Sequence, residues 1–126
     1  MPSKIDHPQF IAMLQQRFPQ VADAIDDCSA GLLHLEVATL GRATVNAIRE
    51  GDADIVKKHF AFVDELFRNA DAGVENALNV SYLEHIDFDG RKAKAIGAHE
   101  MRTPRLRLAV KELEEYWEAL ARSAKA

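Results

Sequence analysis

The sequence has little of what disulfides, secretion or membrane insertion require. Its single cysteine, Cys28, excludes an internal disulfide and is typical of a reducing compartment. We expect Cys28 to be small apolar filler on the inner side of a short helix, rather than a nucleophile. Residues 1–6 lack the apolar segment of a signal peptide, and no stretch approaches the ~18 apolar residues of a spanning helix. The sequence therefore predicts a cytoplasmic protein without membrane contact.

Motifs of catalysis are also missing. There is no glycine-bracketed serine, phosphate-cradling glycine loop or Cys–His signature. The chain has five histidines, but none stands three residues after a glutamate, as a di-iron helical bundle requires. Glu84–His85 and His99–Glu100 are adjacent pairs, whose side chains diverge by about 100° on a helix. We predict a protein that is not an enzyme, with no catalytic residue, no metal and no cofactor, and we expect His34 and His59 to be hydrogen-bonded at the core edge.

Basic charge is scarce over most of the chain. The net charge is −4, but residues 1–90 hold 15 acids and 7 bases, whereas residues 91–126 hold 5 acids and 9 bases. A nucleic-acid-binding domain normally has a dominant basic surface, so this distribution argues against a nucleic-acid partner. An acidic body suits a basic protein partner, although such an asymmetry also arises by chance.

What the sequence does contain is a regular series of helix signals. The 126 residues suffice for one domain, 1–126, and 48% of them are hydrophobic. Asp6 and Gln9 form the pattern of a capping box, and Pro19 interrupts the first helix. Gly51 ends a long helix, and Asp52 caps the next one. No period-2 run predicts a strand.

These signals predict an all-α fold, a single compact domain of about six helices with a long C-terminal helix. Residues 91–102 are predicted to be a loop with a short helical turn. Thr103 and Pro104 then begin the last helix. Its apolar stripe is spaced 4, 3, 4, 3 and consists of Leu106, Val110, Leu113, Trp117 and Leu120. Such a stripe serves either the core or a helix–helix interface, and we favour the core. The sequence leaves the choice between monomer and dimer open.

The stretch "ENALNVSYLEHIDFDG", residues 75–90, mixes polar and apolar side chains. On a helical wheel of residues 74–84, one face is small enough to let a neighbouring helix approach closely; it consists of Val74, Ala77, Leu78 and Ser81. Asn76, Asn79 and Glu84 are expected to be embedded among apolar neighbours, where they need partners. One interpretation is that the asparagines bond to loop backbone and that Glu84 pairs with Arg105 or Arg107. The other is that this segment docks another molecule.

The same stretch resembles the hallmark of a family of small, all-helical bacterial proteins, mostly uncharacterised. That family shows a long helix ending in a charged-Gly turn, matched by "LGRATVNAIREGD", and then an amphipathic helix, matched by "KKHFAFVDELF". An N-x-x-x-V-x-Y/F-L-E helix follows, and a Pro-started helix ends in tryptophan, matched by "MRTPRLRLAVKELEEYW". The matching positions of the third element are Asn76, Val80, Tyr82, Leu83 and Glu84. The resemblance covers residues 32–118, and Thr103 stands where the pattern has glycine.

Some members of this family are similar to immunity proteins of bacterial polymorphic toxins, including contact-dependent inhibition systems. The resemblance implies an immunity protein whose partner is a cognate toxin domain, which we expect to be a nuclease and to be blocked by occlusion. Exposed acids and an aromatic anchor would make the contact. The candidate partner-binding residues are Asp23, Asp26, Asp27, Tyr82, His85, Asp87 and Asp89. The alternative is a non-catalytic helical adaptor domain unrelated to toxins.

Overall fold

Helices form most of the backbone between residues 4 and 125, which are the residues that the computed structural model describes. The elements are α1 (His7–Arg17), α2 (Pro19–Asp23), α3 (Leu33–Glu50), α4 (Ala53–Asn69), α5 (Ala72–Ser81), a 3-10 turn (Leu83–His85), α6 (Arg91–Ile96) and α7 (Pro104–Lys125). The described residues form one compact all-α domain with a long C-terminal helix, as predicted. Helix α6 is the short helical turn expected within residues 91–102.

Strands and membrane-spanning helices are both missing from the described part of the chain. Ile5 and Ala70 form an isolated bridge that ties the start of the chain to the end of α4. No helix between residues 4 and 125 is long and apolar enough to cross a membrane. The predicted domain bounds 1–126, and the predicted lack of a signal segment, also involve residues 1–3 and 126, which lie outside the described residues.

The predicted caps hold the helix ends. Asp6 accepts a hydrogen bond from the Gln9 backbone at 3.0 Å, and the Gln9 side chain accepts one from the Asp6 backbone at 3.1 Å. Gly51 ends α3 in the left-handed conformation, with φ of 74°. Asp52 then accepts from the Ile55 backbone at 3.2 Å. Local chemistry therefore sets these boundaries, as the sequence predicts.

The core lies where α3, α4 and α5 meet. Helix α4 contributes the largest share of buried apolar side chains, including Phe60, Val63 and Leu66, each fully buried. The predicted small face of α5 is confirmed, because Val74, Ala77, Leu78 and Ser81 are its buried residues. It crosses α3 at Gly41, where an added Cβ would stand 3.3 Å from the Ser81 carbonyl oxygen. Glycine at position 41 thus permits a close approach of α3 and α5.

Helix α7 is anchored at its start by a buried carboxylate of α4. Asp64 accepts hydrogen bonds from the Thr103 hydroxyl and from the Arg105 backbone N–H, the latter at 3.1 Å. Arg68 pairs with its other oxygen at 2.7 Å. A carboxylate at a helix N-terminus satisfies free N–H groups and suits the helix dipole. Asp64 therefore fixes the position and direction of α7.

Several expectations for the α5 segment and Cys28 were wrong. Helix α5 ends at Ser81, so it stops short of Tyr82, Leu83 and Glu84, which the resemblance places in the same helix. Asn76 and Glu84 are exposed rather than embedded, and water can satisfy them without protein partners. Arg105 lies near Glu75, at 3.7 Å, not near Glu84. Cys28 is exposed, because α2 ends at Asp23 and the chain turns away before residue 28.

Candidate protein-binding groove

Helix α7 extends beyond the body that anchors it. Its first turns are covered, with Leu106 fully buried and Val110 9% exposed. Further along, Trp117 is 49% exposed and Leu120 42% exposed, and Tyr116 beside them is 57% exposed. The stripe is therefore core in its first half, as predicted, but the prediction was wrong for Trp117 and Leu120. The physical reason is length: α7 spans about 33 Å and is longer than its main neighbour, α4, and every residue from Glu114 to Ala124 is exposed.

A groove of about 410 Å³ runs along α7 from Arg107 to Trp117, where the exposed part of the helix begins. One wall is α7 itself, and the other is formed by the chain around residues 83–89 and 99–102. The lining residues are Leu83, Ile86, Asp87, Phe88, Asp89, His99, Arg102, Arg107, Val110, Lys111, Leu113, Glu114 and Trp117. Three residues of the predicted stripe, Val110, Leu113 and Trp117, thus line a concave surface.

The floor of the groove is apolar and rigidly held. Leu83, Ile86 and Phe88 are at most 7% exposed. The Phe88 ring packs against Phe60 of the core, with centroids 5.6 Å apart. The guanidinium of Arg102 lies over the Phe88 ring, 5.2 Å from its centroid, in cation–π geometry. The floor therefore belongs to the domain core and presents a fixed shape.

The rim of the groove carries both signs of charge. Asp89 lies 3.1 Å from the His99 ring, and Arg102 donates from Nε to the His99 carbonyl at 2.9 Å. Arg107 donates to the Glu100 carbonyl at 3.1 Å. An apolar floor with a polar, hydrogen-bonding rim is the usual make-up of a protein-binding surface.

The charged residues on the outside of α7 are not paired with one another. We expect i, i+4 pairs from their spacing, but Lys111, Glu115, Glu118 and Arg122 form no ion pair in the described part of the chain. Glu114, which lines the groove, forms none there either. These charges remain available to another molecule.

The predicted partner-binding residues fall into two separate groups on the surface. Asp87 and Asp89 line the groove, while His85 lines a neighbouring pocket of about 390 Å³ that also contains Asp87. The remaining aspartates, Asp23, Asp26 and Asp27, are exposed on the last residue of α2 and the turn after it, and they are not part of either lining. Hydrogen bonds from Ser29 lower the pKa of Asp26, so this carboxylate is charged at neutral pH.

Tyr82 requires a correction, because it is fully buried and cannot serve as an exposed aromatic anchor. Its hydroxyl lies 2.9 Å from Thr44 Oγ1, which also lies 2.7 Å from His59 Nδ1. Burial raises the pKa of Tyr82 and lowers that of His59 to about 4. Both are therefore neutral at pH 7 and join three helices through Thr44. His59 is hydrogen-bonded as expected, but it is buried within the core rather than at its edge. The exposed aromatic residues are Tyr116 and Trp117 instead.

Sequence reasoning missed most of the groove because it assigned the stripe of α7 to the core. The sequence held part of the evidence for an exposed stripe, since the 4, 3, 4, 3 spacing continues well beyond the anchored turns of α7. Arg102, Phe88 and Leu83 carry no such signal, because they reach the groove only through tertiary packing. Within residues 4–125, no group of three or more His, Cys, Asp or Glu side chains is placed to hold a metal ion.

Comparison with known proteins gives a family match over most of the chain. The family described as a domain of unknown function (DUF7674) matches residues 11–118. The matched span begins in α1 and ends one residue after Trp117, so it includes both walls of the groove. No curated protein and no solved structure matches the chain.

Proposed function

The chain belongs to the DUF7674 family, a domain of unknown function, and we propose that it acts by binding another protein through the groove and the exposed end of α7. The observation that carries this proposal is the exposure of Trp117, Leu120 and Tyr116 beside a groove with an apolar floor. Large apolar side chains clustered on a surface are typical of interaction sites. Tryptophan and tyrosine are also the residues that most often dominate binding energy.

We further propose that the partner is a cognate toxin domain, as the family resemblance implies, and that the chain is an immunity protein. Such a protein needs no reaction centre, only a surface that covers its partner. Trp117 takes the role of aromatic anchor, and Asp87 and Asp89 flank it on the rim of the groove. The acidic surface of residues 1–90 would speed association with a basic toxin such as a nuclease.

An adaptor domain unrelated to toxins is the second candidate. The observation that favours it is the charge of the groove, where Arg102, Arg107 and Lys111 balance the acids. A surface built only to block a basic nuclease would be more uniformly acidic. In the adaptor case the partner is a resident protein of the same cell.

Affinity capture with two matched leucine variants tests the binding proposal. Leu120 on α7 is 42% exposed and Leu35 on α3 is 44% exposed, so Leu120→Ser and Leu35→Ser remove the same side chain at nearly equal exposure. We expect the wild type and Leu35→Ser to retain one stoichiometric partner from the cells of origin, and Leu120→Ser to lose most of it. Mass spectrometry identifies the partner.

The identity of the captured protein separates the two candidates. The C-terminal domain of a large secreted protein supports the immunity role, whereas a resident protein supports the adaptor role. Equal capture by both variants would show that the partner binds a surface other than the exposed end of α7. Capture of no protein by the wild type would contradict the binding proposal itself.

A further inference from the structure

We propose that, in the absence of another partner, the exposed half of α7 binds a second copy of this chain, with the two α7 helices antiparallel and each entering the groove of the other copy. This inference concerns the same surface as the proposed function. It stands on the sequence and surroundings of α7 and does not require the toxin or adaptor role.

The first observation is that the exposed half of α7 lacks packing of its own. Every residue from Glu114 to Ala124 is exposed, and a helical segment of this length is marginal in water without tertiary contacts. Its apolar residues Trp117 and Leu120 continue from Leu113 with the 4, 3 spacing that characterises the seam between two paired helices. The segment is therefore built to be covered by another helix.

The second observation is the order of charges along α7. Basic residues come first and acidic residues follow, so two antiparallel copies of the helix bring opposite charges together. Residues 105–111 carry three bases and no acid, and residues 112–118 carry four acids and no base. An antiparallel second helix places the basic part of one copy against the acidic part of the other. A parallel pair in register places like charges together. The charge order thus selects a second copy in the antiparallel direction.

The register follows from the residues that flank the seam. Val110 is 9% exposed and reaches the surface in the groove, so Leu113 of the second copy meets it there. In that register Arg107 lies against Glu114 of the second copy, and by symmetry the reverse pair forms as well. When Leu113 faces Trp117 of the second copy, Glu114 instead meets its own equivalent, and like charges repel. The first register is favoured, and its surface is self-complementary, as a two-fold dimer requires. Arg107 and Glu114 both line the groove.

Dimer formation in this arrangement would affect the proposed function. The second copy covers the groove and the Trp117 side chain, which are the surface proposed for the other partner. The two kinds of binding then compete, and dilution to the monomer frees the surface. Because half a helix and a small groove make a modest interface, we expect a dissociation constant on the order of micromolar.

Sedimentation equilibrium of the full chain, with charge variants, tests the dimer and its register. The wild type is expected to shift from 14.1 kDa towards twice that mass as its concentration rises. Arg107→Glu and Glu114→Arg are each expected to raise the dimer dissociation constant about tenfold or more at low salt, because each reverses both symmetric pairs. The double variant Arg107→Glu/Glu114→Arg restores opposite charges and is expected to return within about threefold of the wild type.

Circular dichroism and thermal melting show that each variant is folded before its mass is measured. A mass of one chain up to about 1 mM would overturn the proposal. So would a dimer that neither single reversal weakens, or one that the double variant fails to restore. These failures are distinct from failure of the proposed function, because a monomeric chain can still capture another protein and a dimer can form without one.

Discussion

The Thr44 hydroxyl lies where α3, α4 and α5 meet. Its hydrogen bonds stabilise the packing of these helices against one another. The Thr44 hydroxyl has one proton and can donate to only one acceptor. Its Oγ1 nevertheless lies within hydrogen-bond distance of three atoms, Leu40 O, His59 Nδ1 and Tyr82 Oη. It therefore acts as the shared acceptor and donor of a buried network. None of these side chains reaches solvent, so water cannot replace a lost bond.

Replacing Thr44 with valine removes the hydroxyl and keeps the shape. We expect the free energy of unfolding to fall by about 2–3 kcal/mol, because buried groups of His59 and Tyr82 lose their partner. Thr39→Val is the matched control in the same helix. The Thr39 hydroxyl bonds to Leu35 O and to the exposed Arg42, which water can satisfy, so we expect a loss of about 1 kcal/mol or less. Urea unfolding measures both, and equal losses would contradict the role of Thr44.

His59 makes the stability of the fold depend on pH. Burial lowers its pKa to about 4, whereas the unfolded chain binds the proton near pH 6.5. As the pH falls, the unfolded state is protonated first, so the contribution is full above about pH 6.5 and is lost towards about pH 4. The expected loss is on the order of 3 kcal/mol over that range.

The variant His59→Gln isolates this contribution from those of the other histidines and carboxylates. We expect its unfolding free energy to be lower at pH 7 but to change less than that of the wild type between about pH 6.5 and pH 4. Chemical unfolding at several pH values gives both curves. Parallel curves for the two proteins would show that His59 does not titrate as its burial requires.

At the scale of helices and turns, the sequence predicts those helix boundaries that are set by interactions between residues close together in the chain. Asp6, Gly51 and Asp52 act on backbone groups within a few residues, so the boundaries that they set can be predicted from the sequence. The end of α5 cannot be predicted from the sequence, because it depends on Tyr82 turning inward to Thr44, which lies 38 residues away in the chain. The same holds for Asp64, which anchors the start of α7 from 41 residues away in the chain.

The crossing of α3 and α5 gives a prediction at this scale. Gly41→Val places a branched side chain against the Ser81 carbonyl, 3.3 Å from the position of the added Cβ, and so forces the helices apart. We expect a loss of about 2–3 kcal/mol. Gly73→Ala is the control within α5, because its Cβ meets the nearest atom at 3.6 Å, an ordinary contact. That variant is expected to be neutral or more stable by up to about 1 kcal/mol. Thermal or urea unfolding compares them, and a neutral Gly41→Val would refute the close approach.

For the whole molecule, the fold class can be predicted from the sequence, but the binding surface can be predicted only in part. The spacing of Leu113, Trp117 and Leu120 predicts an apolar stripe, yet whether a neighbour covers it depends on where the other helices end. Asp87 and Asp89 line the groove, whereas Asp23 and its neighbours lie outside it. No short-range signal brings residues 83–89 and 99–102 beside α7, so the groove is a product of tertiary packing alone.

The central claim is that Trp117 and the groove beside it form the surface that binds another protein. Trp117 is the chain's sole tryptophan, so 5-fluorotryptophan incorporation places one ¹⁹F label at this position. The partner recovered by affinity capture is then titrated, unlabelled, into the labelled chain at a concentration where the chain is monomeric. We predict that the ¹⁹F signal shifts and loses its sensitivity to solvent as the complex forms. An unchanged signal in a complex whose mass proves binding would contradict the account, because the partner would then occupy another face.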